Sequence, residues 1–212
     1  MRYVDCGAKA REWLCRADPV LGREIARLGE LHRPMKEDLF SALVSSILSQ
    51  LISKKAAATV YGRLQQLAGG SITPQSVAAL EVQQLRACGM SGRKAENIAA
   101  IAGMVQSGAL NLQQLQQCSD QEVVRRLSAL PGVGEWTAQM LMIFAMGRPD
   151  VISYKDLGIR RGMMYLYGLD SLTKKQFDSY AAKYSPYASC ASLYLWQLSD
   201  EVSGTEGLAQ IN

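Results

Sequence analysis

A single histidine, His32, occurs among 212 residues, and that scarcity bears on several chemistries at once. It argues against a Ser-His-Asp triad, a multi-histidine metal site and a zinc helix of the HExxH type. His32 precedes Arg33 and Pro34 in a turn, which is a structural or surface position. The five cysteines are Cys6, Cys15, Cys88, Cys118 and Cys190. Their odd count and wide gaps support neither a zinc ribbon nor a disulfide framework, so reduced and mostly buried thiols are expected. The N-terminus lacks a basic region followed by an apolar run, and no apolar stretch is long enough to span a bilayer. Strand-like alternation, internal repeats and low-complexity segments are also missing. The chain reads as a soluble, intracellular protein.

What is present is a helical pattern nearly throughout. Apolar residues make up 48% of the chain, enough for a sizeable core, and the formal charge of +4 is compatible with a polyanionic partner without requiring one. From Leu39 to Leu67, residues Leu39, Leu43, Ile47, Leu48 and Leu51 recur at the spacing of a buried helix face, and Gly69-Gly70 stops the run. Thr73-Pro74 opens another helix as cap and first helical residue. Further helices are expected near 77–80, 83–88, 91–106 and 112–117. Ser119, with Glu122 three residues on, predicts a capping box for a helix over 122–129. Helices follow at 135–146, from Asp156 to Tyr167, at 174–184 and at 188–198. Val151 to Tyr154 looks extended, and 204–212 looks frayed.

The segment Leu127 to Phe144, LSALPGVGEWTAQMLMIF, carries the most information. A helix ends, Pro131 sets a turn, Gly132 and Gly134 flank Val133, and a second helix starts directly. The glycines allow positive φ and a close backbone approach. Amides at the next helix start, together with the helix dipole, make an anion site for which a DNA phosphate is the natural occupant. An ordinary tight turn between antiparallel helices explains the same pattern, and the two readings stay side by side on the pattern alone.

LPGVGEWTAQM resembles the helix-hairpin-helix of the DNA glycosylase superfamily that includes endonuclease III and 3-methyladenine DNA glycosylase II. ALVSSILSQLISKKAA resembles the helix and turn that enter the DNA minor groove. ACGMSGRKAENIAAIA, DVISYKDLGIRRGMMYLYGL and YASCASLYLWQLSD resemble, in order, the next family segment, the segment of the catalytic aspartate and the last core helix. The similarity runs from about Asp18 to Asp200 and is closest to the alkylation-repair branch.

The resemblance implies a role for Asp156, in Lys155-Asp156-Leu157-Gly158: a carboxylate that stabilises an oxocarbenium-like sugar and orients water. An N-cap alone would also explain an Asp at a helix start. Trp136 stands where bifunctional relatives hold a Schiff-base lysine, which implies water attack and an uncut abasic site. Trp136 and Trp196 match aromatic positions of the base pocket, where ring faces attract cationic methylated purines. Met140 sits where some relatives place an aromatic, and Tyr154 is a further candidate face. Leu51 matches the intercalating wedge, with Gln50 and Ser53 beside it in the minor groove, although a core role fits Leu51 too. Lys54 and Lys55 follow, and a solvated basic turn explains them as well.

Phosphate contacts are expected from Gly132, Val133, Gly134, Trp136 and Thr137. Glu135, where relatives often carry a basic residue, suits the helix dipole but repels a phosphate. The resemblance implies a monovalent cation, Na⁺ or K⁺, on the main-chain carbonyls of Ser128, Leu130 and Val133. Relatives with an iron–sulfur cluster use four C-terminal cysteines; only Cys190 lies in that region, so no cluster and no required cofactor are expected. Lys155 departs from the usual apolar, small or acidic residue at its position. A phosphate contact and a lowered carboxylate pKa both remain open for it. Of Arg160 and Arg161, the sequence does not say which braces the fold and which faces DNA.

The expected fold is all-α: one glycosylase unit, 1–212, of two helical subdomains with a DNA-binding cleft between them. The central subdomain spans 41–147 with the hairpin. The second combines 1–40 with 148–212 and carries Asp156, facing the hairpin across the cleft. The expected activity is monofunctional, hydrolytic excision of flipped alkylated purines of the 3-methyladenine and 7-methylguanine type. The partner is double-stranded DNA with damaged bases, met by a monomer in the cytoplasm or nucleoid. Two alternatives stand: a glycosylase of the same fold for oxidised, deaminated or mismatched bases, and a damaged-DNA binding protein that does not cut.

Overall fold

The computed structural model describes residues 2–36, 38–202 and 204. Of the frayed end expected over 204–212, residues 205–212 lie outside them. Twelve α-helices follow one another among the described residues: α1 Ala8–Ala17, α2 Pro19–Leu28, α3 Leu39–Ser49, α4 Lys54–Leu67, α5 Pro74–Ala78, α6 Val82–Ala87, α7 Gly92–Gln106, α8 Asp120–Ser128, α9 Glu135–Phe144, α10 Leu157–Tyr167, α11 Lys174–Ala181 and α12 Ala188–Val202. Short 3₁₀ turns cover Gln114–Gln117 and Ala182–Tyr184. The only β pairing among the described residues is an isolated antiparallel bridge between Tyr3 and Pro34. None of the described helices is long and apolar enough to cross a membrane.

Local chemistry explains most helix starts. Asp18, Asp38, Ser53, Thr73, Ser91, Ser119, Asp156 and Thr173 each accept a first-turn amide with a side-chain oxygen, each such cap contributing about 1 kcal/mol. The capping box expected at Ser119 is half formed. Ser119 Oγ accepts the Glu122 amide, but the Glu122 carboxylate turns to Arg125 and Arg126 instead. Two guanidinium partners outweigh one backbone N–H. They also pull the Glu122 carboxyl down to about 2, chiefly through those hydrogen bonds.

The long apolar run of 39–67 is two helices, not one. α3 stops at Ser49, Leu51 takes a left-handed φ of 58°, and α4 starts at Lys54. Periodicity carries no signal for such a break, because no glycine or proline marks it.

The chain divides into two compact units, Met1–Met35 with Met142–Asn212, and Lys36–Leu141. The division at 142 falls inside α9, whose unbroken helical pattern offers no breaker to read; the sequence reading places it at 147. The central unit is built on α3, α4, α7 and α8, with Leu43, Ile47, Leu48, Leu64, Ile98, Ile101 and Leu127 inside.

In the other unit α10 packs along α12. The fit is close because Gly162 has no side chain: a Cβ there would lie 1.9 Å from the Leu195 carbonyl oxygen. Cys6 and Cys190 form a disulfide across 184 residues, which corrects the expectation of reduced thiols at these two positions. Their Cα atoms lie 5.1 Å apart, a separation a disulfide spans. Only the fold of the N-terminal segment onto α12 creates that proximity, so linear spacing could not announce it. Cys15, Cys88 and Cys118 are free thiols.

A polar cluster in the same unit centres on a buried carboxylate. Asp18, 1% exposed, caps α2 through Oδ1. Its Oδ2 accepts Tyr167 Oη–H at 2.7 Å and Lys183 Nζ–H at 3.0 Å. Since Tyr167 gives its proton to Asp18, Tyr184 must donate in the 2.7 Å contact between the two phenols. Burial alone would raise the Asp18 carboxyl, but the hydrogen bonds from Tyr167, Lys183 and the Leu21 amide overturn that and hold it below its ordinary value. The linked stability is therefore present above the unfolded pKa of about 3.9 and is lost as pH falls through the depressed folded value. Urea midpoints measured from neutral pH into acid are expected to fall for the native chain, and to fall less steeply for Asp18→Asn. Parallel acid limbs would show that the cluster carries no such linkage.

Candidate functional site

Asp156 lies in the unit of α10 and α12. Residues 151–156 are irregular, and Asp156 has an extended backbone (φ −81°, ψ 118°) immediately before α10. Its Oδ1 accepts the Ile159 amide at 2.9 Å, which makes it the N-cap. The same oxygen accepts the indole Nε1–H of Trp196, also at 2.9 Å. Asp156 is 7% exposed and Trp196 6%. A buried carboxylate whose oxygen is fixed from two directions has little freedom to turn, and charge-assisted hydrogen bonds of this kind are the strong ones.

Trp196 is itself held in place. It stacks on Phe144, with ring centroids 5.6 Å apart and planes 30° from parallel. Gly158 closes the other side: a Cβ there would come within 2.8 Å of Trp196 Cδ1 and 3.2 Å of Asp156 Oδ1. The structure thus brings Asp156 and Trp196 together, and gives Trp196 a contact with the carboxylate that its match to a pocket position did not indicate.

Tyr154 is drawn toward α11. Its ring meets Phe177 edge-on at 5.2 Å and its hydroxyl donates to the Leu172 carbonyl. Arg160 stacks over Tyr154, 5.3 Å from the ring centroid, whereas Arg161 and Lys155 are exposed. Of the two arginines left open by the sequence, Arg160 braces and Arg161 faces solvent.

The hairpin belongs to the central unit. Leu130 to Gly134 joins α8 to α9. Val133 is buried, and its amide donates to the Leu130 carbonyl at 3.1 Å. Gly132 takes φ 78°, a backbone that favours glycine, and a Cβ on it would push the Asn97 side-chain amide aside. Gly134 differs from expectation. Its φ is not positive, and a Cβ there would meet nothing within 4 Å. No intramolecular contact requires glycine at 134; its bare backbone is exposed to whatever approaches the first turn of α9, whose amides point out of the helix end. Thr137 is buried, Trp136 is 44% exposed and Met140 is half-buried. The Ser128 hydroxyl is buried without a hydrogen-bond partner.

Leu51 stands out on this unit. It is fully exposed, at 104%, and is the one non-glycine residue with positive φ among those described. A core role is therefore overturned. The left-handed backbone costs a leucine about 1–2 kcal/mol, so neighbours must impose it. Lys94 Nζ donates to the Leu48 carbonyl at 2.7 Å and to the Gln50 carbonyl at 2.6 Å. Gln50 Nε2 donates to the Gly132 carbonyl at 2.9 Å, so this amide is turned to the hairpin. Ser53 caps α4, and Ile52 is 42% exposed beside Leu51.

In the sequence Lys94 and Asn97 fall only within the helix expected near 91–106, and neither is singled out there. The signal available was dipolar. Lys54 and Lys55 open α4, and Arg93 and Lys94 open α7, where helix ends disfavour cations. A cation at such a place needs another partner, which for Lys94 is the C-terminal end of α3. Burial lowers the Lys94 pKa from its ordinary value, the usual consequence of taking an ammonium out of water.

Comparison with known proteins places this geometry. Residues 44–186 match the HhH-GPD superfamily base excision DNA repair protein family. DNA-3-methyladenine glycosylase 1 of Schizosaccharomyces pombe is 32% identical over 171 residues, covering 77% of this chain and 74% of the relative. The crystal structure of DNA-3-methyladenine glycosidase from Bacillus halodurans superposes with a TM-score of 0.88 at 36% identity, over 96% of this chain and 95% of the other. The Schizosaccharomyces pombe 3-methyladenine DNA glycosylase Mag1, solved in complex with abasic DNA, gives 0.77 at 28% identity, over 90% and 96%. With the family match spanning most of the sequence, and both α9 with its hairpin and the Asp156 helix start inside it, the chain belongs to the HhH-GPD superfamily of base excision DNA repair proteins, in its 3-methyladenine DNA glycosylase branch.

Proposed function

We propose that this chain binds double-stranded DNA, flips out alkylated purines and releases them by hydrolysis, leaving an abasic strand uncut. The observation that carries the mechanism is the doubly fixed, buried Asp156 carboxylate. As the glycosidic bond breaks, positive charge builds on the sugar, and an oriented carboxylate stabilises it and directs water to the anomeric carbon. Trp136 offers no amine at the position where bifunctional relatives form a Schiff base, which supports water as the attacking group.

Cationic 3-methyladenine and 7-methylguanine suit an aromatic pocket, because ring faces attract positive charge by about 0.5–2 kcal/mol each. Trp136 is the exposed face for this role, and Met140, half-buried, follows it one turn later on α9. Leu51, presented outward, fills the gap left by the flipped nucleotide. The first-turn amides of α9, with Gly134 giving room, take a phosphate. A Na⁺ or K⁺ on the carbonyls of Ser128, Leu130 and Val133 would supply positive charge under that phosphate, and the unpartnered Ser128 hydroxyl fits such a group.

The test is incubation with methylated duplex DNA, separating released purines and then treating the strands with alkali. Free methylated purines are expected, with strands intact until alkali is added. Absence of release from methylated DNA, with release from oxidised or deaminated duplexes, would overturn the alkylation reading.

Trp196→Phe isolates one part of the site. It keeps the stack on Phe144 and removes the N–H that holds Asp156. Losing a hydrogen bond to a charged group corresponds to about a tenfold or larger fall in single-turnover excision rate. An unchanged rate would mean that the indole only packs.

A further inference from the structure

Two α7 residues, Lys94 and Asn97, reach the turn after α3 and the hairpin, and they lie on one face of that helix. Lys94 and Asn97 are three residues apart, which places them on neighbouring turns. Lys94 sits under the end of α3, where it supplies donors to the Leu48 and Gln50 carbonyls. Helix geometry leaves such C-terminal carbonyls without an intrahelical amide, and a cation is favoured there. Asn97 reaches the hairpin, its side-chain amide lying against Gly132 where a Cβ would displace it. The Gln50 side chain closes the loop by donating to the Gly132 carbonyl. Leu51 follows Gln50 directly, with its left-handed backbone and fully exposed side chain.

We infer that Lys94 is a positioning residue for base extrusion. By clamping the two carbonyls that precede Leu51, it holds the wedge in its outward left-handed conformation and ties it to the phosphate-binding hairpin through Gln50. The inference rests on the reading of Leu51 as the wedge. Two features separate this role from a plain helix cap. The Gln50 carbonyl that Lys94 holds belongs to the peptide unit leading into Leu51, so the clamp acts on the dihedral that aims the wedge. The Gln50 side chain, which springs from the backbone that Lys94 holds, donates to the Gly132 carbonyl, so wedge and phosphate anchor move as one body within the central unit.

The experiment is a double-mutant cycle between Lys94→Met and Leu51→Ala, with Lys94→Arg as the conservative variant. The readouts are single-turnover excision from methylated duplex and the fluorescence of 2-aminopurine placed beside an excisable base, which reports extrusion. Lys94→Met is expected to lower both the extrusion signal and the excision rate about tenfold, the scale of a lost hydrogen bond to a charged group. Lys94→Arg, which keeps donors at the carbonyls, is expected to recover most of that loss. In the Leu51→Ala background Lys94→Met is expected to add little, because the wedge it aims is gone. An equal loss from Lys94→Met in both backgrounds would overturn the positioning role while leaving the wedge intact. A Leu51→Ala chain with native extrusion and excision would instead overturn the wedge reading, and this role with it. Should Lys94→Met not fold, Lys94→Gln keeps a polar end at the carbonyls and is read in the same cycle.

Discussion

Asp156→Asn is expected to slow release of methylated purine about a thousandfold or more while leaving the melting temperature within a few degrees of the native value. The substitution is nearly isosteric. An asparagine Oδ1 still accepts the Ile159 amide as an N-cap, and asparagine caps about as well as aspartate. It can also still accept the Trp196 indole proton. What disappears is the negative charge. A unit charge about 4 Å from a developing oxocarbenium, at an effective dielectric near 20, is worth about 4 kcal/mol, which is about a thousandfold in rate. Asp156→Ala is the informative companion. It removes the charge and the cap together, so it should match the asparagine variant in rate and fall below it in stability by about 1 kcal/mol. Single-turnover excision and thermal melting of the three proteins decide the matter. An asparagine variant within about tenfold of native rate would reduce Asp156 to a cap and move the chemistry elsewhere.

The two roles of Asp156 show what a sequence can and cannot announce. Its place at a helix start was legible from the pattern around Leu157 to Tyr167, and capping followed from residue type alone. The Trp196 contact was not, because it joins residues 40 positions apart. The hairpin was legible because glycines and a proline punctuate it. Yet Gly132 and Gly134 look equivalent in LPGVG, and only packing distinguishes them: Asn97 crowds the first and nothing crowds the second. Periodicity hid the break after α3 for the opposite reason, although the resemblance of residues 42–57 to a helix and turn implied one. Leu51 is strained by a tertiary clamp from Lys94, so the local sequence 49–53 carries an apolar helical period up to the residue that leaves the helix. Leu51 also continues the stripe of Leu43, Ile47 and Leu48, which is why core and wedge could not be told apart before its exposure was seen. The Cys6–Cys190 bridge belongs to the same class of hidden facts, created by the fold of one unit and invisible in spacing.

Gly162→Ala should be among the most destabilising single-methyl changes available to this chain. A Cβ at 162 would lie 1.9 Å from the Leu195 carbonyl oxygen, 2.7 Å from its carbon and 3.0 Å from its Cα. All three atoms are helix backbone, so no rotamer change relieves the clash and α10 must move away from α12. Overpacking of this kind costs about 1–3 kcal/mol and occasionally more, against a gain of at most about 1 kcal/mol in helix propensity. The rigid obstacle argues for the upper end, about 3 kcal/mol, or a melting temperature lower by about 6–12 °C for a chain of this size. Gly103→Ala is the matched control. Gly103 lies inside α7, and a Cβ there meets nothing within 4 Å, so propensity acts alone and the change should stabilise by about 0.5–1 kcal/mol. Opposite signs for the two substitutions, read by denaturant titration, are the expected result; equal, small effects would mean that the close approach of α10 and α12 is not a feature of the folded chain in solution. The consequence reaches the chemistry because Leu195 adjoins Trp196. Displacing that stretch of α12 pulls the indole from Asp156 Oδ1, so Gly162→Ala should lose excision rate even at temperatures where it remains folded. In this unit the missing side chain of one glycine sets the distance between the helix that begins with the carboxylate and the helix that fixes it.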